Sequence, residues 1–326
     1  MRLLWFGLIC LLGSQATAWG QAPQRVWIDT DIIFDKFSRD VDDGLALMIA
    51  VQAEQWDIQG VSLVIDVAHG ERVARKLLDY YGATELPLYR GADRAEGLGQ
   101  LNDAVTAMAD ALQAGRLTLV ALGPATNVAT LLQRYPHLAD SIEQLVMCAG
   151  RRSPTQHFQV GNSKRYLPDY NVEMDPLAMQ WVLDSDIPLT LAGFEPASYV
   201  YLSREDLLPL KEGTNPGDRW VWRQLRDWLF AWRVYLRARR GFIPFDAATV
   251  GCVLYPDLFR RQAVRVHLTT APNDCRMVVK SDRKSYLVWQ SAQRAGRICD
   301  YVFETKPGFH PFLVASILRR SPPSLD

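Results

Sequence analysis

An excess of charge of either sign is missing: over 326 residues, 36 Lys and Arg balance 36 Asp and Glu, for a formal net charge of zero. That excludes a chain built to hold nucleic acid, which needs a basic surplus or a basic stripe. Cysteine is scarce, with five residues and no C-x-x-C pair. A disulfide scaffold, a zinc ribbon and a thioredoxin-type redox motif are therefore poor fits. Long apolar runs are lacking beyond one near the start, and no repeat or low-complexity linker divides the chain. What is abundant is core material: 48% hydrophobic residues against 22% charged, with ten Trp, which excludes disorder.

The one apolar run, Leu3 to Leu12, follows Met1-Arg2 and precedes Ala16-Thr17-Ala18. A basic start, a short apolar stretch and an A-x-A site read as a signal peptide over residues 1–18. The run falls short of the roughly 20 residues that span a bilayer. Leu8-Ile9 before Cys10 lacks the small residue that lipoprotein processing requires. The expected mature chain is secreted or periplasmic, with no membrane association after cleavage. Of its four cysteines, Cys148 and Cys252 sit in apolar stretches and read as buried thiols. Cys275 and Cys299 each open a β-looking run; adjacent strands could pair them, and the sequence leaves open whether they are bridged.

Strand and helix patterns alternate. Strands are expected at Arg25–Asp29, Gly60–Ile65, Pro87–Tyr89, Leu117–Leu122, Gln144–Cys148 and Pro188–Ala192. Helices are expected at Asp43–Ala53, Glu71–Tyr81, Asn102–Leu112, Asn127–Arg134 and Asp175–Leu183. This alternation predicts an α/β fold, a mostly parallel central sheet with helices on both faces. One long helix over Asp218–Arg240 follows, then a helix over Ala247–Leu254. Extra strands are expected from Val264 onward, ending in a helix near Pro311–Arg319. A single domain over residues 26–320 is the simplest organisation, and in such sheets ligands bind beyond the carboxyl ends of the strands.

The first strand ends in Asp29-Thr30-Asp31, and the next helix opens with Asp40-Val41-Asp42-Asp43-Gly44-Leu45-Ala46-Leu47. One helix cap accounts for one of these acids. Four or five carboxylates converging on one strand end repel unless a cation compensates them, and hard oxygen ligands in number suit Ca²⁺. Three further stretches follow in order: Leu122-Gly123-Pro124-Ala125-Thr126-Asn127, Asp169-Tyr170-Asn171-Val172-Glu173-Met174-Asp175-Pro176, and Pro244-Phe245-Asp246-Ala247-Ala248. Together the four resemble the inosine/uridine-type nucleoside hydrolase family, with its D-x-D, D-D-x-x-A-L, G-P-x-T-N, E-F-N-x-x-x-D-P and P-x-H-D patterns.

The resemblance implies a Ca²⁺-dependent glycosidase that cleaves the N-glycosidic bond of ribonucleosides or related N-ribosides. It implies Asp31, Asp43, Asp246 and the Leu122 carbonyl as metal ligands, with the ion also holding the ribose 2′ and 3′ hydroxyls. Asp31 then takes a proton from a water whose pKa the metal lowers. Asp42 is implied as a partner of the ribose hydroxyls, Asp169, Asn171 and Asn162 as the grip on the sugar, and Asp29 as a group orienting a ligand. The implied partner is a small-molecule nucleoside or N-riboside, with homo-oligomerisation left open.

Three departures bear on the chemistry. The segment from Ile32 to Arg39 is longer than the family's tight turn, and either Asp35 or Asp40 fits the family's intermediate acid. The family's His, associated with protonating the leaving base, is Phe245 here, and Phe donates no proton. The family's G-N after the second core strand is Asp66-Val67. Trp228, Trp232 and Tyr235 share one helical face. That stripe either packs on the sheet or stacks on a nucleobase, with Arg233 near the leaving group and His157 as an alternative donor. Two other readings compete: a family member that keeps metal and sugar but has degenerate catalysis, and a D-x-D phosphatase with Asp29 as nucleophile. The phosphatase pattern wants Thr or Val where Ile33 stands, and it leaves Asp246 and Asn171 without a role.

Overall fold

The computed structural model describes residues 22–37, 39–290 and 296–320; the leader read over residues 1–18 lies outside them. The first half alternates strand and helix: β1 (Gln24–Thr30), α1 (Asp42–Ala50), β2 (Trp56–Leu63), α2 (Val67–Tyr80), β3 (Leu88–Arg90), α3 (Asp103–Gln113), β4 (Leu117–Ala121), α4 (Thr126–Arg134) and β5 (Ile142–Met147). A small ribbon follows, β6 (Phe158–Gln159) and β7 (Tyr166–Leu167), then α5 (Tyr170–Met174), α6 (Pro176–Asp184) and β8 (Leu189–Ala192). Four helices come next: α7 (Phe194–Ser198), α8 (Arg204–Leu207), α9 (Pro216–Tyr235) and α10 (Phe245–Leu254). The chain closes with β9 (Phe259–Pro272), β10 (Arg283–Val288), β11 (Arg297–Thr305) and α11 (Phe309–Ile317).

The strands form one sheet in the order β10-β9-β11-β8-β5-β4-β1-β2-β3. From β3 to β11 neighbours run parallel, and β9 lies antiparallel between β11 and β10. The expected mostly parallel sheet with extra C-terminal strands is thus what the chain forms. Its central strands bury consecutive residues, as strands covered on both faces do: every residue of β4 is buried, as is β1 from Val26 to Thr30. One apolar cluster gathers α1, α2, α9, α10 and α11 on one face. A second gathers α3, α4 and α6 on the other. Side-chain caps set several helix starts: Asn102 Oδ1 accepts from Val105 N–H at 3.0 Å, and Asp175 Oδ1 from Ala178 N–H at 2.9 Å ahead of Pro176.

Strand order reverses at β1, whose neighbours are β2 on one side and β4 on the other. The crevice between the carboxyl ends of β1 and β4 is therefore the topological switch point where such sheets bind ligands.

Some boundaries differ from expectation. Helix α2 begins at Val67, directly after Ile65 (φ 57°) and Asp66 (φ 49°), two left-handed non-glycine residues that turn the chain sharply off β2. Helix α9 stops at Tyr235 rather than Arg240, because Arg237 adopts φ 53°. Tyr235 in its last turn is 51% exposed, so the expected stripe buries Trp232 and part of Trp228 but not Tyr235.

The open question of a Cys275–Cys299 bridge has an answer: the four cysteines among the described residues are free thiols. Cys299 pairs with Val264, near one end of the β9–β11 ladder. Cys275 opens no strand but lies in the turn beyond Pro272, the last residue of β9, which runs on for eight residues past Val264. Those eight residues of β9 amount to roughly 27 Å of strand.

Candidate active site

The switch point gathers the acids that the sequence separates. Asp31 follows β1, Asp42 and Asp43 open α1, Leu122 follows β4, and Asp246 lies in the first turn of α10. Asp42, Asp43 and Asp246 each offer a carboxylate oxygen within 4.8 Å of the others, and all three are buried. Asp246 N–H donates to Asp42 Oδ2 at 3.2 Å, fastening α10 to α1, and the Thr30 hydroxyl donates to Asp43. Gly123 permits the closeness: a Cβ there would stand 2.6 Å from Val64 Cγ1 and 3.0 Å from both Asp31 N and Asp31 Oδ1.

Electrostatics mark the group as short of positive charge. Burial, then repulsion by Asp43, holds the Asp31 carboxyl well above its ordinary value. Burial and the charges of Asp42 and Asp43 do the same to Asp246. Burial lifts Asp43 to about 7 against the hydrogen bond from Thr30. Asp29, behind them, rises to about 6 through burial, although Ser62 and Asn127 donate to it. It stands behind the cavity rather than lining it: Asn127 Nδ2 reaches Asp29 Oδ1 at 2.8 Å and the Leu63 carbonyl at 3.1 Å, tying β1, β2 and α4 together.

These acids floor a cavity of about 270 Å³. Seven aspartates line it, namely Asp31, Asp40, Asp42, Asp43, Asp66, Asp169 and Asp246, with Arg39 as the one base. Asn171 lines it too, with both amide hydrogens committed to main-chain carbonyls, Leu122 at 2.5 Å and Cys148 at 2.9 Å. That leaves its amide oxygen to accept from a ligand. Above the floor stand Trp228, Trp232 and Phe245, joined by Phe158 and Phe194, which stack at 4.1 Å.

The long segment after Asp31 is a folded rim. Phe34 is buried against Gly44, where a Cβ would come within 2.4 Å of its ring, and against Trp220 at 5.1 Å. His69 Nε2 meets the Phe34 carbonyl at 2.7 Å, and Lys36 pairs with Asp66 at 2.6 Å. Of Asp35 and Asp40, this path brings only the latter to the cavity. Asp40 lines the cavity and accepts from Val41 N–H at 2.7 Å, while Asp35 turns toward Lys76, Trp220 and Gln224.

Asp169 is held by a buried ionic network. Its Oδ2 accepts from Gly150 N–H, and its own N–H donates to Glu173 Oε1, both at 3.0 Å. Lys284 Nζ bridges Glu173 Oε1 (2.5 Å) and Asp274 Oδ1 (2.7 Å), and Arg151 Nη1 reaches Asp274 Oδ2 at 3.0 Å. The Arg151 guanidinium lies over the Phe158 ring at 3.9 Å. Asp274 belongs to the β9–β10 turn, which also sends Met277 to the cavity. The C-terminal hairpin therefore reaches back to the centre of the molecule.

Three expected site residues stand apart from the cavity. Asn162 is exposed on the β6–β7 turn after Gly161 (φ 60°). Arg233 is exposed on α9, one residue past Trp232 and so rotated about 100° off the inward face. His157 is taken up by Asp274, 3.1 Å from its Nδ1, and by Tyr166, stacked at 4.3 Å. Sequence reasoning missed Phe158, Phe194, Met277, Arg39 and the Cys148 thiol as lining groups, and Arg151, Lys284 and Asp274 as supports. A charged pair such as Arg283-Lys284 gives no sign in sequence that one member is buried.

Known proteins share the sequence pattern and the fold. The family model for inosine-uridine preferring nucleoside hydrolase matches residues 26–303. The pyrimidine-specific ribonucleoside hydrolase RihA of Shewanella woodyi is 31% identical over 160 residues, 47% of either chain. RihA of Escherichia coli O9:H4 is 25% identical over 253 residues, 67% of this chain and 78% of that one. A solved plant nucleoside hydrolase, the PpNRh1 enzyme, shares the fold with a TM-score of 0.71 at 17% identity, over 90% of this chain and 99% of that one.

Proposed function

We propose, since this chain belongs to the inosine-uridine preferring nucleoside hydrolase family, that it hydrolyses the N-glycosidic bond of ribonucleosides or related N-ribosides with Ca²⁺ as its metal. The observation that carries this reading is the buried trio Asp42, Asp43 and Asp246 at the switch point. Carboxylates packed this tightly away from water need a compensating cation, and among the described residues no Lys or Arg makes an ion pair with them. An all-oxygen donor set suits a hard cation, and Ca²⁺ accepts the irregular geometry and high ligand number on offer. Asp31, Asp43, Asp246 and the Leu122 carbonyl would hold it, with Asp42 close enough to join them or to take a ribose hydroxyl.

When bound, Ca²⁺ supplies the charge that grips vicinal hydroxyls and acidifies a water. Asp31 accepts the proton of the attacking water. Asp169, fixed by Gly150 and Glu173, and the Asn171 amide oxygen accept from sugar hydroxyls and set the ring's orientation. The aromatic wall covers the base and keeps bulk water from it. Export follows from the leader-like residues 1–18 as a separate proposal, tested by N-terminal sequencing of protein recovered outside the cytoplasm.

The test is hydrolysis of p-nitrophenyl riboside, whose leaving group needs no acid. Asp31→Ala should lower it by a factor on the order of 10³. EDTA should lower both activity and melting temperature, because metal bound only by the folded chain stabilises it. Near-normal turnover by the variant would sink the assigned role of Asp31. Indifference to EDTA in both measurements would sink the metal. Metal binding with no turnover of this substrate would leave the degenerate, sugar-binding reading in its place.

A further inference from the structure

Charge is balanced over the whole chain but not along it. Between Arg219 and Arg240 stand seven arginines against one acid, Asp227. Helix α9 arranges most of them. Arg219, Arg223, Arg226, Phe230 and Arg233 recur at steps of three and four, so they share one helical face. That face points to solvent: all five are exposed, as is Val234 beside them, while Trp220, Leu225 and Trp232 on the opposite side are buried. The row runs about 21 Å along the helix. Arg237, Arg239 and Arg240, also exposed, continue the surplus past the helix end, with Arg240 over the Tyr201 ring at 4.5 Å.

These charges are largely uncommitted. Among the described residues, Arg226 alone of the seven pairs with an acid, Asp227 at 2.8 Å. Asp218, at the start of the helix, is buried and taken by Arg319. Like charges gathered on one face repel one another, at a cost to the folded state. Between them Phe230 is 56% exposed and Val234 50%, apolar surface that folding leaves in water.

We propose that this face of α9 docks the protein on the surface of a bilayer carrying anionic phospholipid. The inference stands apart from the hydrolase reading, and it departs from the expectation of a chain without membrane association. The guanidinium fork matches the oxygens of a phosphate, and a bilayer offers headgroup phosphates densely on one plane. Phe230 and Val234 then enter the boundary between headgroups and acyl chains, where the apolar side chains of a basic helix settle. No helix among the described residues is long and apolar enough to cross a membrane, so the contact proposed is with its surface.

Two other occupants fit less well. A second copy related by a twofold axis would set arginine against arginine, because such an interface meets itself. A single-stranded nucleic acid is tracked by a basic groove with rings on which its bases stack. The outer side of one helix is convex, and Val234 offers no ring.

The experiment is co-sedimentation of the full chain with vesicles of phosphatidylcholine alone and of phosphatidylcholine mixed with phosphatidylglycerol. The mixed vesicles should bind it about tenfold or more strongly, and molar salt, where screening acts within about 3 Å, should abolish the difference. The combined Arg223→Gln, Arg226→Gln and Arg239→Gln variant should partition on the order of 100-fold less onto the mixed vesicles. Phe230→Ser should lose about tenfold. Both change exposed side chains, so melting temperatures should match wild type. The wild-type comparison of the two vesicles decides the matter if a variant fails to fold. Equal binding to both vesicles, or binding to neither, overturns the inference, as does a folded triple variant that binds like wild type. Retention of a single-stranded oligonucleotide without vesicle binding gives the face to nucleic acid, and a Phe230-dependent dimer without vesicle binding gives it to a second copy. Either result overturns the inference as well.

Discussion

The floor and the wall of one cavity are built by different means. Floor residues stand where β1 and β4 end and where α1 and α10 begin, all buried elements locked around the switch of strand order. Moving any of them means moving the sheet. Wall residues come from α7, α9, the start of α10 and the short β6, which only lean over that centre. Their identity can change without disturbing strand pairing. Under the proposed function the floor would carry the reaction and the wall would meet the leaving group.

Breaking the floor should have the largest effect on function. Asp246→Asn is expected to lower hydrolysis by more than about 10³-fold, or about 4 kcal/mol in transition-state stabilisation. It should also erase the difference in melting temperature between calcium-loaded and EDTA-treated protein. A variant that keeps that difference would remove Asp246 from the ligand set. Breaking the wall should show in stability instead. Trp232, only 3% exposed, should cost about 4 kcal/mol on replacement by Ala in urea unfolding, with the calcium response preserved. Loss of that response would mean that floor and wall are not separable.

The hairpin network joins the two halves, and Lys284→Met probes it. Removing one member of a buried ion pair costs about 3 kcal/mol or more, because Glu173 and Asp274 lose their shared cation. Burial alone would raise Asp274, but the Lys284 hydrogen bond and the Arg151 charge outweigh it and hold the carboxyl below 3.8. Its contribution is complete above the unfolded carboxyl value and is lost as pH falls through the lower folded one. Burial alone would lower Lys284, yet Asp274 and Glu173 hold it above 10.5. Its contribution is complete below that value and fades as pH rises through the folded one. Unfolding followed from pH 2 to 12 should show both limbs flattened in Lys284→Met; unchanged limbs would refute the linkage. The smallest effect is expected at the rim. The Lys36–Asp66 pair is exposed, so Lys36→Met should change stability by less than about 1 kcal/mol. A larger loss would show that the rim carries part of the floor's stability.

The same contrast decides what sequence reasoning reaches. The floor was readable because carboxylates placed at a strand end and at the next helix start have few other reasons to crowd. Asp29, Asp31, Asp42 and Asp43 announce themselves within fifteen residues. The parallel sheet was readable because strands buried on both faces leave unbroken apolar runs. The wall was harder. Phe158, Phe194 and Met277 are single apolar residues in loops or at element starts, where nothing local distinguishes a cavity lining from core. His157 and Arg233 carry polar chemistry in segments that border the cavity, which is all that sequence shows of them. Ring stacking on Tyr166 takes one aside, and helical phase turns the other outward. The Cys275–Cys299 pairing stayed open because nothing local tells that Cys275 lies in a turn beyond β9 while Cys299 pairs with Val264 within it.

The hydrogen bond from Asp246 N–H to Asp42 spans 204 positions of sequence. During synthesis the chain leaves the ribosome from its N-terminus, so β1, α1 and β4 are made long before α10 exists. Until then Asp42 and Asp43 face one another without their third member, and Asp169 awaits the hairpin that carries Lys284. Closing loops this long is slow, because chain entropy is spent before the contact rewards it. The six parallel strands made before α10, namely β1 to β5 and β8, are thus expected to pair ahead of the active centre, which leaves an interval with structure but no chemistry. Calcium added during refolding should shorten the last kinetic phase and leave the earlier ones alone.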